Sequence, residues 1–75
     1  MRRYTIILES DPVEGGYTVL VPSLLGCVTQ GETIEQCVER AKEAIAGYIE
    51  CLEAHGEAVP EEKEPLQAIT IDVAA

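Results

Sequence analysis

Apolar residues recur at two different spacings along the chain, and the two spacings predict two kinds of element. Within residues 3–9, 17–21 and 68–73, apolar and polar positions alternate, which is typical of β-strands with one buried face. Residues 27–30 form a shorter β-prone run that glycines bound, so we expect a third strand there. From residue 34 to about residue 54 the spacing changes to three and four, which predicts one amphipathic helix.

The helix carries local signals at both ends. Thr33 and Gln36 match a capping box, in which the threonine hydroxyl accepts from the amide three residues on and the glutamine side chain reaches back. Gly56 provides a left-handed cap after the last turn. Gly47 costs about 1 kcal/mol relative to alanine inside a helix, so we expect a close contact or a bend there. The predicted apolar stripe comprises Ile34, Val38, Ala41, Ile45, Tyr48 and Leu52, and Cys37, Ala44 and Cys51 widen it.

The predicted order of elements is β-β-β-α-β, which indicates a small α+β fold. Turn residues between the first strands favour antiparallel neighbours. A final strand beside the first would run parallel to it, and the helix would cover one face of this mostly antiparallel sheet. The helix spans about 31 Å and the strands only about 17 to 20 Å. Its last turns therefore need cover from the connector, residues 57–66, or from another chain, and the candidate interface is Tyr48, Ile49 and Leu52.

Length and composition limit the class of protein. Seventy-five residues form one domain, residues 1–75. A domain of this size buries only about 60 to 65 % of the surface that its unfolded chain exposes, so it usually needs an additional stabilising feature. Three cysteines and one histidine, without CxxC or HxxxH spacing, predict no disulfide framework, no metal site and a reducing, cytoplasmic location. We expect no cofactor, and no apolar run approaches the roughly 20 residues that span a membrane. Self-association remains as the source of added stability.

The charge of the chain narrows the choice of partner. The net charge is −9, and the five basic residues are scattered along the chain. Direct binding to nucleic acid is therefore disfavoured, because it needs clustered lysine and arginine. The acidity favours either solubility alone or a basic protein partner.

Two groups of residues invite a chemical interpretation, and a structural one is favoured for each. Glu9, Asp11 and Glu14 surround the first predicted hairpin, where carboxylates can hold Mg²⁺, but a polar loop explains them better. Cys27 follows a glycine in a turn, and no histidine lies near it in sequence to activate it. We therefore expect a packed, inert thiol and no catalytic residue.

An ordered set of short motifs makes the sequence specific. A Gly-Gly-Tyr motif at residues 15–17 precedes a Pro-x-Leu-x-Gly-Cys-x-x-x-Gly-x-Thr block at residues 22–33, and Ala-Lys-Glu-Ala follows at residues 41–44. In this order the motifs resemble the HicB family, the antitoxin of HicA–HicB toxin–antitoxin pairs, over about residues 4–73. The matching positions are Gly15, Gly16, Tyr17, Pro22, Leu24, Gly26, Cys27, Gly31, Thr33, Ala41, Glu43 and Ala44.

The resemblance implies a partial RNase H-like fold that is used for binding and not for catalysis. It also implies that the chain binds and neutralises a HicA-type toxin, a small basic mRNA-cleaving protein, and that it forms dimers or tetramers. Ser23 and Leu25 depart from the family's usual Asp and Pro. Family members carry a C-terminal DNA-binding domain, for which we expect no room here. The alternatives are a stand-alone oligomeric scaffold or regulatory binding module with a different partner and, least favoured, an RNase H-like nuclease.

Overall fold

The computed structural model describes residues 2–74, which contain three strands and one helix. The helix α1 covers Ile34–Ala54. The strands form a sheet of order β1-β2-β3 in which both neighbouring pairs are antiparallel. This arrangement confirms the predicted α+β class, with an antiparallel sheet and one long helix. The strands are β1 at Ile7–Ser10, β2 at Tyr17–Leu20 and β3 at Val28–Gly31.

Helix α1 begins and ends where the sequence predicts, because local interactions set both ends. The Thr33 hydroxyl accepts from Gln36 N at 3.1 Å, and Gln36 Oε1 accepts from Glu32 N at 2.6 Å. The glutamine thus reaches one residue further back than in a standard capping box. Gly56 has a φ of +68°, the left-handed conformation that ends many helices.

The contact between α1 and one face of the sheet forms the core. Val19 of β2 is fully buried against Cys37 and Ala41 of α1. A second buried cluster fills the turn between β2 and β3 and consists of Val21, Leu24 and Cys27. The two clusters share Ile6 as a neighbour, so the segment before β1 contacts both. The residues packed against the second cluster are Tyr4, Ile6, Ala44, Ile45 and Tyr48.

The other face of the sheet carries a row of apolar side chains. Ile7 is paired with Leu20, and Leu20 is paired with Val28, so the row crosses all three strands. Leu8 and Val19 belong to the helix side. Because neighbouring residues of a strand point to opposite faces, the row lies on the side away from α1.

The predicted final strand, residues 68–73, is wrong for the sheet of this chain. Residues 57–74 contain neither helix nor strand, and Ile69, Ile71 and Val73 are 76 %, 73 % and 75 % exposed. The alternating sequence indicates a segment that is able to pair, but a strand also needs a neighbour that accepts its backbone hydrogen bonds. Within the described residues the order is β-β-β-α, and the RNase H-like fold stays a prediction.

Two predictions about the helix surface are confirmed only in part. Cys37 and Ala41 lie at the centre of the buried face, whereas Ile34 is 58 % and Val38 is 37 % exposed. The predicted face therefore does meet the sheet, but its small residues lie nearest to it and the side with Ile34 and Val38 is exposed. At Gly47, an added Cβ would meet no atom within 4 Å, so the close contact is absent and the alternative, a bend, stays a prediction.

Candidate interaction surface

The Gly-Gly-Tyr motif shapes the hairpin between β1 and β2. Gly15 and Gly16 have φ angles of +82° and +71°, which favour glycine. A Cβ on Gly16 would lie 2.7 Å from a backbone oxygen of β3, so no side chain fits there. Asp11 Oδ1 accepts from Val13 N at 2.9 Å and from Glu14 N at 3.1 Å. The two bonds hold the pKa of Asp11 below its ordinary value, and the bond donated by the Glu14 amide contributes more than the bond donated by the Val13 amide.

The block from Pro22 to Cys27 forms a compact turn with a buried interior. Val21 N donates to Cys27 O at 3.1 Å, and Cys27 N donates to Leu24 O at 3.0 Å. Pro22 and Gly26 are exposed, and Gly26 has a φ of +79°. Burial raises the pKa of the Cys27 thiol, which keeps the thiol protonated at neutral pH and opposes nucleophilic chemistry.

The remaining motif residues join β3 to the helix and line its inner side. A Cβ on Gly31 would lie 2.9 Å from both the backbone nitrogen and the sulfur of Cys37. Glycine at this position therefore lets the helix start close to the sheet. Ala41 is buried, Ala44 is half-buried and Glu43 is exposed. The motif positions are thus spread over the hairpin, the turn and the helix start.

The candidate interface at the end of the helix is half-covered by the chain itself. Tyr48 packs against the second buried cluster, and its hydroxyl donates to Leu25 O at 2.7 Å. Ile49 and Leu52 are also half-buried. The role of these residues in an interface stays a prediction.

The connector returns from the helix to the N-terminal residues and is held there by polar contacts. The Tyr4 hydroxyl donates to Pro60 O at 2.6 Å. The Glu62 carboxylate accepts from Thr5 Oγ1 at 2.5 Å, from Thr5 N at 2.8 Å and from Ser23 Oγ at 3.0 Å. These bonds, chiefly that from the Thr5 hydroxyl, lower the pKa of Glu62.

Replacing Glu62 by glutamine is expected to weaken the contact between the connector and Thr5. The free energy of unfolding should then change less as the pH becomes acidic. The folded-state pKa lies below the ordinary value of 4.5. The carboxylate therefore stabilises the fold above about pH 4.5, and this contribution is lost as the pH falls through the folded-state value. The Glu62→Gln variant should show faster amide exchange at Thr5 and a smaller shift of its urea midpoint between about pH 5 and about pH 3.

Glu64→Gln provides the matched control for this prediction, because Glu64 is an exposed residue of the same connector. It should behave like the wild-type chain in both measurements. Identical pH profiles for the wild-type chain and Glu62→Gln would show that the contact with Thr5 does not stabilise the fold.

The outer surface of α1 is acidic. Its five glutamates are all exposed, and at roughly 100° per residue they fall within about 80° of the helix circumference. This stripe lies opposite Ala41 and Tyr48, which face the core. Lys42 Nζ lies 3.7 Å from Glu39, so it offsets one of the negative charges. We name as the acidic ridge Glu35, Glu39, Glu43, Glu50 and Glu53.

The described residues offer little for metal binding, membrane insertion or thiol chemistry. Across residues 2–74, no three histidine, cysteine, aspartate or glutamate side chains are grouped so that they could hold a metal ion. In the same range, α1 lacks the apolar length needed to cross a membrane. Cys27 and Cys37 are buried free thiols, whereas Cys51 is exposed, with its sulfur 3.8 Å from His55 Nδ1.

Known proteins resemble this chain over almost all of its length. A family model described as the HicB-like antitoxin of bacterial toxin–antitoxin systems matches residues 4–73. A UPF0150 protein of Thermoplasma acidophilum is 45 % identical over 69 residues, which cover 92 % of this chain and 96 % of the relative. A UPF0150 protein of Synechocystis is 40 % identical over 68 residues, which cover 91 % of this chain and 85 % of the relative. The matched range includes the sheet, the helix and the connector.

Proposed function

Because this chain belongs to the HicB-like antitoxin family of bacterial toxin–antitoxin systems, we propose that it binds and neutralises a HicA-type mRNA-cleaving toxin. The family match over residues 4–73 carries this proposal, since it spans every element of the fold. In this role the chain masks the toxin by binding it and is not itself an enzyme.

The acidic ridge supports the proposal with a physical reason for the choice of partner. The chain has a net charge of −9, and α1 sets five exposed glutamates against only Arg40 and Lys42. Complementary charge attracts a basic protein and speeds its encounter more than it strengthens the final complex. We therefore assign to the ridge the steering of a basic toxin.

Affinity in a protein interface also needs apolar contact surrounded by polar residues. Ile34 and Val38 are 58 % and 37 % exposed and lie on the flank of α1 between the ridge and the core. Ile49 and Leu52, both half-buried, continue this flank towards the end of the helix. This side of α1 therefore combines the two kinds of surface that binding a basic protein requires.

Co-expression with the neighbouring reading frame tests the proposal. A short basic chain encoded there is expected to co-purify with this protein, and its mRNA cleavage is expected to stop when the complex forms. If no complex forms at micromolar concentrations, the antitoxin role is rejected and a scaffold or regulatory module with a different partner becomes the better interpretation. Metal-dependent cleavage of RNA by the purified chain alone would overturn the non-catalytic role.

Neutralising the middle of the acidic ridge is expected to slow toxin association. In the triple variant Glu39→Gln, Glu43→Gln, Glu50→Gln, the association rate at low salt should fall by about tenfold or more, because electrostatic steering is lost. The dissociation rate should change much less, and the dependence of association on salt should weaken. Stopped-flow mixing over a range of salt concentrations measures all three quantities.

A second triple variant separates the ridge from the total charge. Glu57→Gln, Glu61→Gln and Glu64→Gln remove the same charge at exposed positions of the connector. This control should retain most of the wild-type association rate. Equal slowing in the two triple variants would mean that net charge alone matters and that the ridge has no special part.

A further inference from the structure

Three of the five basic residues of the chain line one cavity, although they are far apart in sequence. Arg2 and Arg3 precede β1, whereas Lys63 belongs to the connector. The cavity has a volume of about 310 Å³, and none of its lining residues belongs to α1. The fold therefore gathers basic residues that are scattered in the sequence. The other lining residues are Tyr4, Glu61, Glu62 and Pro65.

Two contacts hold the two sides of this cavity together. The Tyr4 hydroxyl donates to Pro60 O at 2.6 Å, and Thr5 N donates to Glu62 Oε1 at 2.8 Å. Residues 2–3 lie directly before these contacts on one segment, and Lys63 lies directly after them on the other. The fold thus keeps three cationic side chains at one place, although like charges repel each other.

The side chains around the cavity leave these cations without an ion pair. Within residues 2–74 the only ion pair joins Lys42 to Glu39 on α1. Glu62 lines the cavity, but each of its oxygens accepts a hydrogen bond from Thr5. With Glu61 as the second carboxylate, the lining has three positive and two negative groups, in a chain of net charge −9. The cavity is thus a positive site on an acidic protein, and it attracts an anion from solution.

The residue types and the size of the cavity indicate which anion fits. An arginine donates two parallel hydrogen bonds to a phosphate or a carboxylate, and a lysine adds a point charge. A phosphate monoester carries a charge of about −1.5 to −2 at neutral pH, so it balances several cations better than one carboxylate does. The acidic remainder of the chain repels a long polyanion such as RNA. Pockets for small molecules begin at about 300 Å³, which is close to this volume.

We propose that this cavity binds a small phosphate monoester. Arg2, Arg3 and Lys63 hold the phosphate group, and the rings of Tyr4 and Pro65 contact the organic part. Because no residue of α1 takes part, the site is separate from the proposed toxin interface. Phosphate binding and toxin binding can therefore each fail without the other.

Titration of the full chain with phenyl phosphate at constant ionic strength, followed by amide NMR signals, tests the proposal. The dissociation constant is expected to be about 1 mM or lower, with shifts at residues 2–4 and 61–64. Inorganic phosphate should bind more weakly because it lacks the ring, and phenol should not bind. Equal binding of phenyl phosphate and inorganic phosphate would overturn the part assigned to Tyr4 and Pro65.

Two other results would overturn the site itself. The first is the absence of shifts at phenyl phosphate concentrations about tenfold above the expected dissociation constant. The second is a set of shifts confined to the start of α1, because the N-terminus of a helix also attracts phosphate.

Charge-matched variants separate the cavity from the net charge of the chain. The double variant Arg3→Gln, Lys63→Gln should raise the dissociation constant for phenyl phosphate about tenfold or more, because two charge-assisted contacts are lost. Arg40→Gln, Lys42→Gln removes the same charge from α1 and should leave the constant within about twofold. All four side chains are exposed, so both variants are expected to fold. Equal weakening in the two variants would overturn the proposal.

Discussion

Replacing Leu24 by alanine is expected to lower the free energy of unfolding by about 2–5 kcal/mol. Leu24 is fully buried and is the largest such side chain in residues 2–74. Ile6 from the N-terminal side and Tyr48 from the helix pack against its cluster, so truncation leaves a cavity between elements that are far apart in sequence. A chain of 75 residues has in total only about 4–11 kcal/mol of stability, at about 0.05–0.15 kcal/mol per residue. The midpoint of urea denaturation, followed by circular dichroism, measures the loss.

The neighbouring leucine is a matched control for this substitution. Leu25 is 91 % exposed, so Leu25→Ala should change the free energy of unfolding by no more than about 0.5 kcal/mol. Its backbone carbonyl, which accepts from the Tyr48 hydroxyl, is present in both variants. Similar losses at the two positions would show that the turn does not bury Leu24 as the structure describes.

Replacing Gly31 by alanine is expected to destabilise the fold by about 1–3 kcal/mol, which is typical of an overpacked core. The new Cβ would lie 2.9 Å from the backbone nitrogen of Cys37 and 3.1 Å from its Cα. These are backbone atoms of the first helical turn, so relief of the clash requires the start of α1 to move away from β3. In a domain of this size the midpoint of thermal unfolding should fall by about 4 °C or more.

Gly47→Ala is the matched control, and it is expected to act in the opposite direction. Gly47 lies inside α1, and an added Cβ meets no atom within 4 Å. Alanine is the better helix former by about 1 kcal/mol, so this variant should be more stable than the wild-type chain. Equal effects at Gly31 and Gly47 would mean that the short distance to Cys37 does not constrain the helix.

The sequence predicted the elements well because their signals are local. Thr33 and Gly56 set the ends of the helix through contacts with residues a few positions away. The exact orientation of the helix was not predictable in the same way, since the predicted stripe and the buried face around Cys37 and Ala41 differ by only about 40° at roughly 100° per residue. The sheet selects Cys37 and Ala41 because small side chains allow the backbones to approach closely, and Ile34 is left exposed.

That residues 68–73 stay outside the sheet could not be predicted from those residues alone, because pairing depends on a neighbour that is distant in the chain or belongs to another molecule. The alternation of Ile69, Ile71 and Val73 describes what the segment can do and does not say where its partner lies. For the acidic ridge, too, the sequence of the helix predicts the surface but does not identify its partner. The periodicity of the helix predicts that Glu39 and Glu43 face outwards, but the partner they meet is inferred from the family.

The three cysteines also act as built-in reporters of local opening. Cys37 lies in the cluster between the helix and the sheet, Cys27 lies in the cluster inside the turn, and Cys51 is exposed. A thiol-reactive reagent modifies a buried cysteine only when the structure around it opens. The alkylation rates of Cys37 and Cys27 therefore measure the opening of the two halves of the core separately, and Cys51 provides the rate of an unprotected thiol in the same molecule.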